Sequence, residues 1–100
     1  MKRARFVVPA RREFLLQVAY YNRKEAGLGA RFAAAVEEAT LRAVAFPLTG
    51  SPMSRSARRV FVKGFPFAVV YRPEPDSIQI FAVAHHARRP EYWQSRIRDE

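Results

Sequence analysis

The spacing of apolar residues changes once along the chain, and this change limits its possible folds more than any other feature. Up to residue 46 the apolar side chains recur at intervals of three and four, as in amphipathic helices. Beyond Ala57 they alternate with a period of two, which is typical of strands. The sequence therefore predicts a helical half followed by a sheet-forming half, in a single α+β domain of 100 residues.

Two helices are predicted in the first half, behind a short edge strand. Residues 3–8 alternate loosely and stop at Pro9, which closes strands and also suits the first turn of a helix. A first helix is predicted over residues 10–26, and a second lies between the Gly27-Leu28-Gly29 joint and Pro47. Because the joint is so short, the two helices should form an antiparallel hairpin.

The second half predicts an antiparallel meander. Residues 48–56 are rich in turn formers and are expected to form a loop, and residues 73–77 a hairpin turn. Strands are predicted over residues 57–63, 65–71 and 78–84, and a short helix begins near Pro90. We therefore expect a helical hairpin packed on one face of a three- to four-stranded, mainly antiparallel sheet.

Composition excludes several classes of function. The chain has no cysteine, so disulfides, thiolate metal sites and cysteine nucleophiles are ruled out. It carries two histidines and none of the common nucleotide-binding or hydrolase motifs, so neither a metal nor a cofactor is expected. No apolar run is long enough to span a bilayer and no targeting segment is visible, which favours a cytoplasmic protein.

The charge is strongly basic and unevenly distributed. Lys and Arg number 18 against 9 acids, which gives a formal net charge of +9. Residues 51–73 hold five cations and no acid: Arg55, Arg58, Arg59, Lys63 and Arg72. On neighbouring strands these cations are expected to form a patch that attracts an acidic partner, nucleic acid or anionic lipid. A solvated sheet edge, protected from aggregation by its charge, is the alternative.

A second group of chemically capable residues follows the last predicted strand. His85 and His86 can transfer protons near neutral pH, and Tyr92 could do so if nearby cations lowered its pKa. In the alternative, structural interpretation, Tyr92 and Trp93 pack the terminal helix onto the sheet. The arginines of this segment are then solvated: Arg88, Arg89 and Arg96.

Several segments, in this order, resemble the RelE/ParE toxin family. They are Tyr20-Tyr21, Gly27-Leu28-Gly29-Ala30-Arg31-Phe32, Phe46-Pro47-Leu48, the stretch from Val62 to Tyr71, and the stretch from Ala82 to Arg96. The resemblance implies the toxin of a type II toxin–antitoxin pair, a group that includes plasmid stabilisation proteins. It also implies a cognate antitoxin whose C-terminal segment wraps the toxin. RelE-like members cut mRNA on the ribosome, whereas ParE-like members inhibit DNA gyrase.

The residues that the resemblance aligns with the RelE-like nuclease set are only partly suited to cleavage. Arg59 falls where those nucleases keep a strand lysine, and Phe61 where they keep a second one. Ala68 replaces the central arginine, His86 replaces a later arginine, and Tyr92 matches the terminal tyrosine. Since Phe61 and Ala68 offer neither charge nor hydrogen bonds to a phosphate, the resemblance favours a ParE-like protein.

The sequence therefore predicts a ParE-like toxin that inhibits DNA gyrase without catalysis. The alternative is a ribosome-dependent mRNA endonuclease, with Arg59, His85, His86 and Tyr92 as its catalytic residues. A third possibility is a binding module that has lost toxicity. The antitoxin is expected to be acidic and to lie across the basic strands and the groove of the helical hairpin. The expected partner-binding residues are Arg55, Arg58, Arg59, Lys63, Arg72, Arg88, Arg89, Tyr92, Trp93 and Arg96.

Overall fold

The computed structural model describes residues 3–54 and 56–97. Strand β1 (Arg3–Phe6) leads into helix α1 (Val8–Lys24) and helix α2 (Leu28–Ala45). Four strands follow: β2 (Ser51–Pro52), β3 (Arg58–Phe61), β4 (Phe67–Glu74) and β5 (Ser77–His85). A terminal 3₁₀ helix (Pro90–Arg96) ends the described chain. No helix in the described ranges is long and apolar enough to cross a membrane.

The strands form one sheet in the order β1-β5-β4-β3-β2. Strand β1 runs parallel to β5, while the other three pairings are antiparallel. The predicted α+β fold, with a helical hairpin on a mainly antiparallel sheet, is confirmed. Within the described residues the sheet has five strands rather than three or four, because residues 51 and 52 of the predicted loop pair with β3. Two residues are too few to show a strand period in the sequence.

Helix α1 begins earlier than predicted, at Val8, and the strand before it ends at Phe6. Pro9 lies in the first turn of the helix, where its missing N–H requires no partner. Gly27 ends the hairpin joint with φ of 84°, a conformation that side chains other than glycine rarely adopt. The helices then approach closely at Gly29, whose N–H donates to Asn22 Oδ1 over 2.8 Å.

Both faces of the sheet bury apolar residues. The hairpin face, which α1 and α2 cover, holds the main core around Phe32, Val69 and Ile80. Successive strand residues point to opposite faces, so Val70 lies on the other side, which we call the far face. There it packs with Trp93 of the terminal 3₁₀ helix. A β-bulge near Val70 interrupts the register between β4 and β5.

Candidate functional site

The four described cations of residues 51–73 do not form one patch. Arg58 and Arg59 are neighbours on β3, so they point to opposite faces of the sheet. Arg58 Nη1 donates to the carbonyl oxygens of Leu48 at 3.0 Å and Gly50 at 2.8 Å. Its guanidinium therefore closes the loop between α2 and β2. Arg55 lies outside the described residues.

Two further cations of this group have intrachain acids nearby, although residues 51–73 themselves contain none. Lys63 Nζ lies 3.9 Å from a carboxylate oxygen of Glu38 on α2. Arg72 Nη2 lies 3.2 Å from Glu74 and donates to Gln79 on β5 over 3.0 Å. The sequence does not place Glu38 beside β3, because that contact depends on how α2 packs.

Arg59, Phe61 and His86 lie together on the far face, and we call them the far-face cluster. The guanidinium carbon of Arg59 lies 4.9 Å from the centre of the Phe61 ring. The His86 ring meets the same phenylalanine edge-on, with 5.4 Å between ring centres. The Phe61 side chain is 46% exposed, although it is large and apolar. Arg59 Nε is buried and has no hydrogen-bond partner among the described residues.

The two adjacent histidines lie in different surroundings. The His85 ring packs edge-on against Phe67 of the main core, with 5.0 Å between ring centres. Its Nδ1 accepts a hydrogen bond from the Ala87 N–H at 2.9 Å. His86 instead contacts Phe61 on the far face. Of the four residues proposed for cleavage, the structure brings together Arg59 and His86, while His85 points elsewhere.

Arg96 is not solvated, contrary to the structural interpretation of the sequence. Its Nη2 lies 2.9 Å from Glu13 Oε2 on α1, and both side chains are about one-fifth exposed. Its Nη1 donates to the Phe81 carbonyl over 2.9 Å. The guanidinium carbons of Arg88 and Arg96 lie 3.9 and 5.0 Å from the centre of the Tyr92 ring. Arg89, in contrast, is exposed.

The surroundings of Tyr92 oppose a role as a general base. Burial is the main cause that raises its pKa well above the ordinary value, and the Glu13 carboxylate raises it further. The neighbouring arginines lower the pKa but are outweighed. The net lowering of the pKa of Tyr92, which proton transfer by this residue would require, is therefore not met. A phenol that keeps its proton at neutral pH is not a general base.

The position of Trp93 is structural. The residue is 1% exposed and packs with Ala57, Val70 and Ala82 on the far face. It anchors the terminal 3₁₀ helix and offers no surface to a partner in this structure. Large aromatic side chains give most of the burial energy in such small clusters, so Trp93 fixes where the exposed arginines of the segment lie.

Ala68, which replaces the central arginine of the RelE-like nucleases, lies in the middle of the sheet. Ala68 of β4 pairs with Phe61 of β3 on one side and Ala84 of β5 on the other. It is 4% exposed, and its methyl group neither carries charge nor forms hydrogen bonds. Among the described residues, no group of three or more acids and histidines is placed to hold a metal ion.

One exposed surface that was not predicted from the sequence runs along α1. This α1 outer face carries three large aliphatic side chains and one tyrosine, all exposed: Val8, Leu15, Leu16 and Tyr20. Exposed cations accompany them: Arg11, Arg12, Arg23 and Lys24. The one acid within α1, Glu13, pairs with Arg96 instead. The sequence does indicate this surface, because the apolar residues of α1 occupy more of the helix circumference than a single buried stripe requires.

A groove adjoins this surface between the two helices and β1. We call it the hairpin groove; it has a volume of about 380 Å³ and is lined by Phe6, Phe14, Ala33, Val36, Glu37, Thr40 and Leu41. Most of these side chains are apolar, and Leu41 is exposed. An apolar groove beside an apolar and basic helix face is suited to an amphipathic peptide with acidic side chains.

Comparison with known proteins agrees with this fold. The family model described as the ParE toxin of the type II toxin–antitoxin system, parDE, matches residues 5–90. A solved chain titled "Chromosomal ParDE TA system from P. aeruginosa" superposes with a TM-score of 0.72, at 13% identity, over 85% of this chain and 96% of that one. No curated protein matches the sequence significantly. Because the family match spans most of the described sheet and both helices, the chain belongs to the ParE toxin family of type II toxin–antitoxin systems.

Proposed function

We propose that this chain inhibits DNA gyrase by binding to it, and that a cognate antitoxin neutralises it by covering its surface. The state of the aligned nuclease positions is the observation that carries this proposal. Phe61 and Ala68 supply no charge, and burial holds Tyr92 in its neutral form. A set with these changes lacks two of the charged groups that would stabilise a phosphorane-like transition state. Membership of the ParE family supports the same conclusion.

The antitoxin is proposed to occupy the α1 outer face and the hairpin groove. Exposed leucines next to exposed arginines favour a partner segment that alternates apolar and acidic residues. Such a segment is disordered before binding and folds on the toxin. This differs from the sequence expectation, which placed more of the antitoxin on β3 and β4. Arg58 and Arg72 are engaged within the chain and offer less to a partner.

Purified components test the proposal directly. The toxin is added to gyrase and relaxed plasmid, with and without the antitoxin, and supercoiling is measured on a gel. We expect inhibition that the antitoxin reverses. In parallel, the toxin is added to a coupled translation reaction and the mRNA ends are mapped. Codon-periodic cuts, with gyrase unaffected, would assign the chain to the mRNA endonucleases instead.

Expression in cells also distinguishes gyrase from the ribosome as the target. If gyrase is the target, DNA synthesis stops early and the response to DNA damage is induced while translation continues. If the ribosome is the target, protein synthesis stops first. A chain that leaves growth unchanged, although folded, would be a binding module without toxicity.

A further inference from the structure

One acidic residue of the hairpin groove has no ion-pair partner among the described residues. Most acids whose side chains the structure describes are paired with lysine or arginine: Glu13, Glu25, Glu38 and Glu74. Glu37 and Asp76 form no such pair with any described residue. Glu38 lies 2.7 Å from Arg42 Nε, whereas its neighbour Glu37 lines the groove. In a chain with a net charge of +9, Glu37 is therefore an unusual point of free negative charge.

The surroundings of Glu37 within α2 offer it no cation. The residues one helical turn before and after it are alanines, a threonine and a leucine. The groove around it is lined mostly by apolar side chains, including Phe14, Val36 and Leu41. Glu37 is exposed, so water solvates its charge in the free chain. A partner that covered the groove with apolar or acidic groups would leave this carboxylate unpaired, at a cost in binding free energy. An occupant of the groove therefore needs a cation at this point.

Thr40 supplies a second, independent polar atom in the same groove. It lies one helical turn after Glu37 on the same side of α2. Its Oγ1 is buried and has no hydrogen-bond partner among the described residues. Threonine in a helix has two favoured positions of χ1, and rotation between them can turn the hydroxyl toward the groove. An ammonium or guanidinium group carries several N–H donors, so one such group can serve both the carboxylate and the hydroxyl.

We propose that the antitoxin segment in the hairpin groove carries one lysine or arginine, which pairs with Glu37 and donates to Thr40. The inference rests on the antitoxin site proposed above and specifies the chemistry of its occupant. Acidic residues of the segment face the arginines of the α1 outer face, and a single cation faces Glu37. Displacement of the segment toward the α1 outer face would bring this cation against arginines. The pair therefore fixes the register of the segment and discriminates against antitoxins that have an acid at this position.

Charge reversal on the full toxin chain tests the proposal, with affinity for the purified antitoxin measured by calorimetric titration. Glu37→Lys should weaken the complex at least about 10-fold, because it brings like charges together. The control is Asp76→Lys, which makes the same change in net charge in the exposed turn between β4 and β5. It should bind as tightly as wild type or slightly tighter, since it only increases attraction to an acidic partner. Circular dichroism establishes that both variants are folded.

The outcome for Glu37 is separable from that for the antitoxin site as a whole. If Glu37→Lys binds like wild type while replacement of Leu15 and Leu16 by Ala weakens the complex, the inference is overturned and the proposed antitoxin site stands. If neither change weakens the complex, the antitoxin lies elsewhere and both proposals fail.

A double-mutant cycle identifies the antitoxin cation. Each lysine and arginine of the toxin-binding segment is replaced by glutamate and titrated into wild-type toxin and Glu37→Lys. One replacement should restore affinity for Glu37→Lys by at least about 5-fold, within the range of about 2- to 150-fold for residues in contact. Thr40→Val keeps the side-chain shape without the hydroxyl, and should weaken the complex without lowering the unfolding temperature of the free toxin. Absence of any restoring position, or wild-type affinity of Thr40→Val, would contradict the proposal.

Discussion

Glu13 and Arg96 are separated by 83 residues in the sequence, yet their charged groups lie 2.9 Å apart. The same carboxylate accepts a hydrogen bond from the Val83 N–H at 3.3 Å. That N–H belongs to the part of β5 beyond its pairing with β1, which ends at Ile80. One acidic side chain thus joins α1, the open edge of β5 and the terminal 3₁₀ helix.

Loss of this ion pair should destabilise the protein measurably. Because both side chains are mostly buried and the bond is charge-assisted, Arg96→Ala should lower the free energy of unfolding by about 1.5–3 kcal/mol. The control is Arg5→Ala, which removes a pair with Glu74 in which Arg5 is 58% exposed. That change should cost about 0.2–1 kcal/mol. Urea denaturation of both variants measures the difference, and equal losses would contradict the prediction.

The raised pKa of Tyr92 predicts a loss of stability in alkaline solution. An unfolded tyrosine ionises near pH 10, whereas the folded chain keeps the Tyr92 proton at that pH. The folded state then binds more protons than the unfolded state, so stability present below about pH 10 is lost as the pH rises further. Thermal unfolding between about pH 8 and 11 should show a steeper decline for wild type than for Tyr92→Phe. Identical declines would be evidence against the buried phenol.

Tyr92→Phe should leave toxicity nearly unchanged if the chain inhibits gyrase. The ring of Tyr92 packs against Arg88 and Arg96, and that packing survives the substitution, which removes only the hydroxyl group near Glu13. Removal of residues 92–100 should abolish toxicity, since it also removes Trp93 from the far face. Residues 98–100 of this deletion lie outside the described structure. Growth after induction of each variant is the measurement. A folded Tyr92→Phe variant without toxicity would assign the protein to the nucleases.

Leucines of the α1 outer face should contribute to antitoxin affinity. Replacement of both Leu15 and Leu16 by Ala removes exposed apolar surface without affecting the core, so toxin folding should be retained. We expect the complex to weaken at least about 10-fold, as for truncation of central interface residues. Calorimetric titration with the antitoxin measures this. Phe61→Ala on the far face is the control and should bind the antitoxin normally; the reverse pattern would place the antitoxin on the sheet.

The change in apolar period was sufficient to predict the hairpin, the meander and their order. It was not sufficient for β2, whose two residues show no period. Strand alternation predicts that Arg58 and Arg59 lie on opposite faces of the sheet, because the two residues are adjacent. The ion pair between Glu13 and Arg96 could not be predicted from the sequence, because no local pattern connects residues so far apart in the chain. The candidate site was predicted as a set of residue types, and tertiary packing decided which of them meet.

The parallel pairing of β1 with β5 has a consequence for the order of events during synthesis. The first strand of the chain finds its partner only in Ser77–Ile80, roughly within the last quarter of the sequence. Long-range pairing of this kind is slow, because the loop between the strands must close before any contact stabilises it. Until the ribosome releases these residues, β1 has no strand of the sheet with which to pair. Both helices therefore leave the ribosome before β5 does, and the sheet on which they pack is complete only once β5 has emerged.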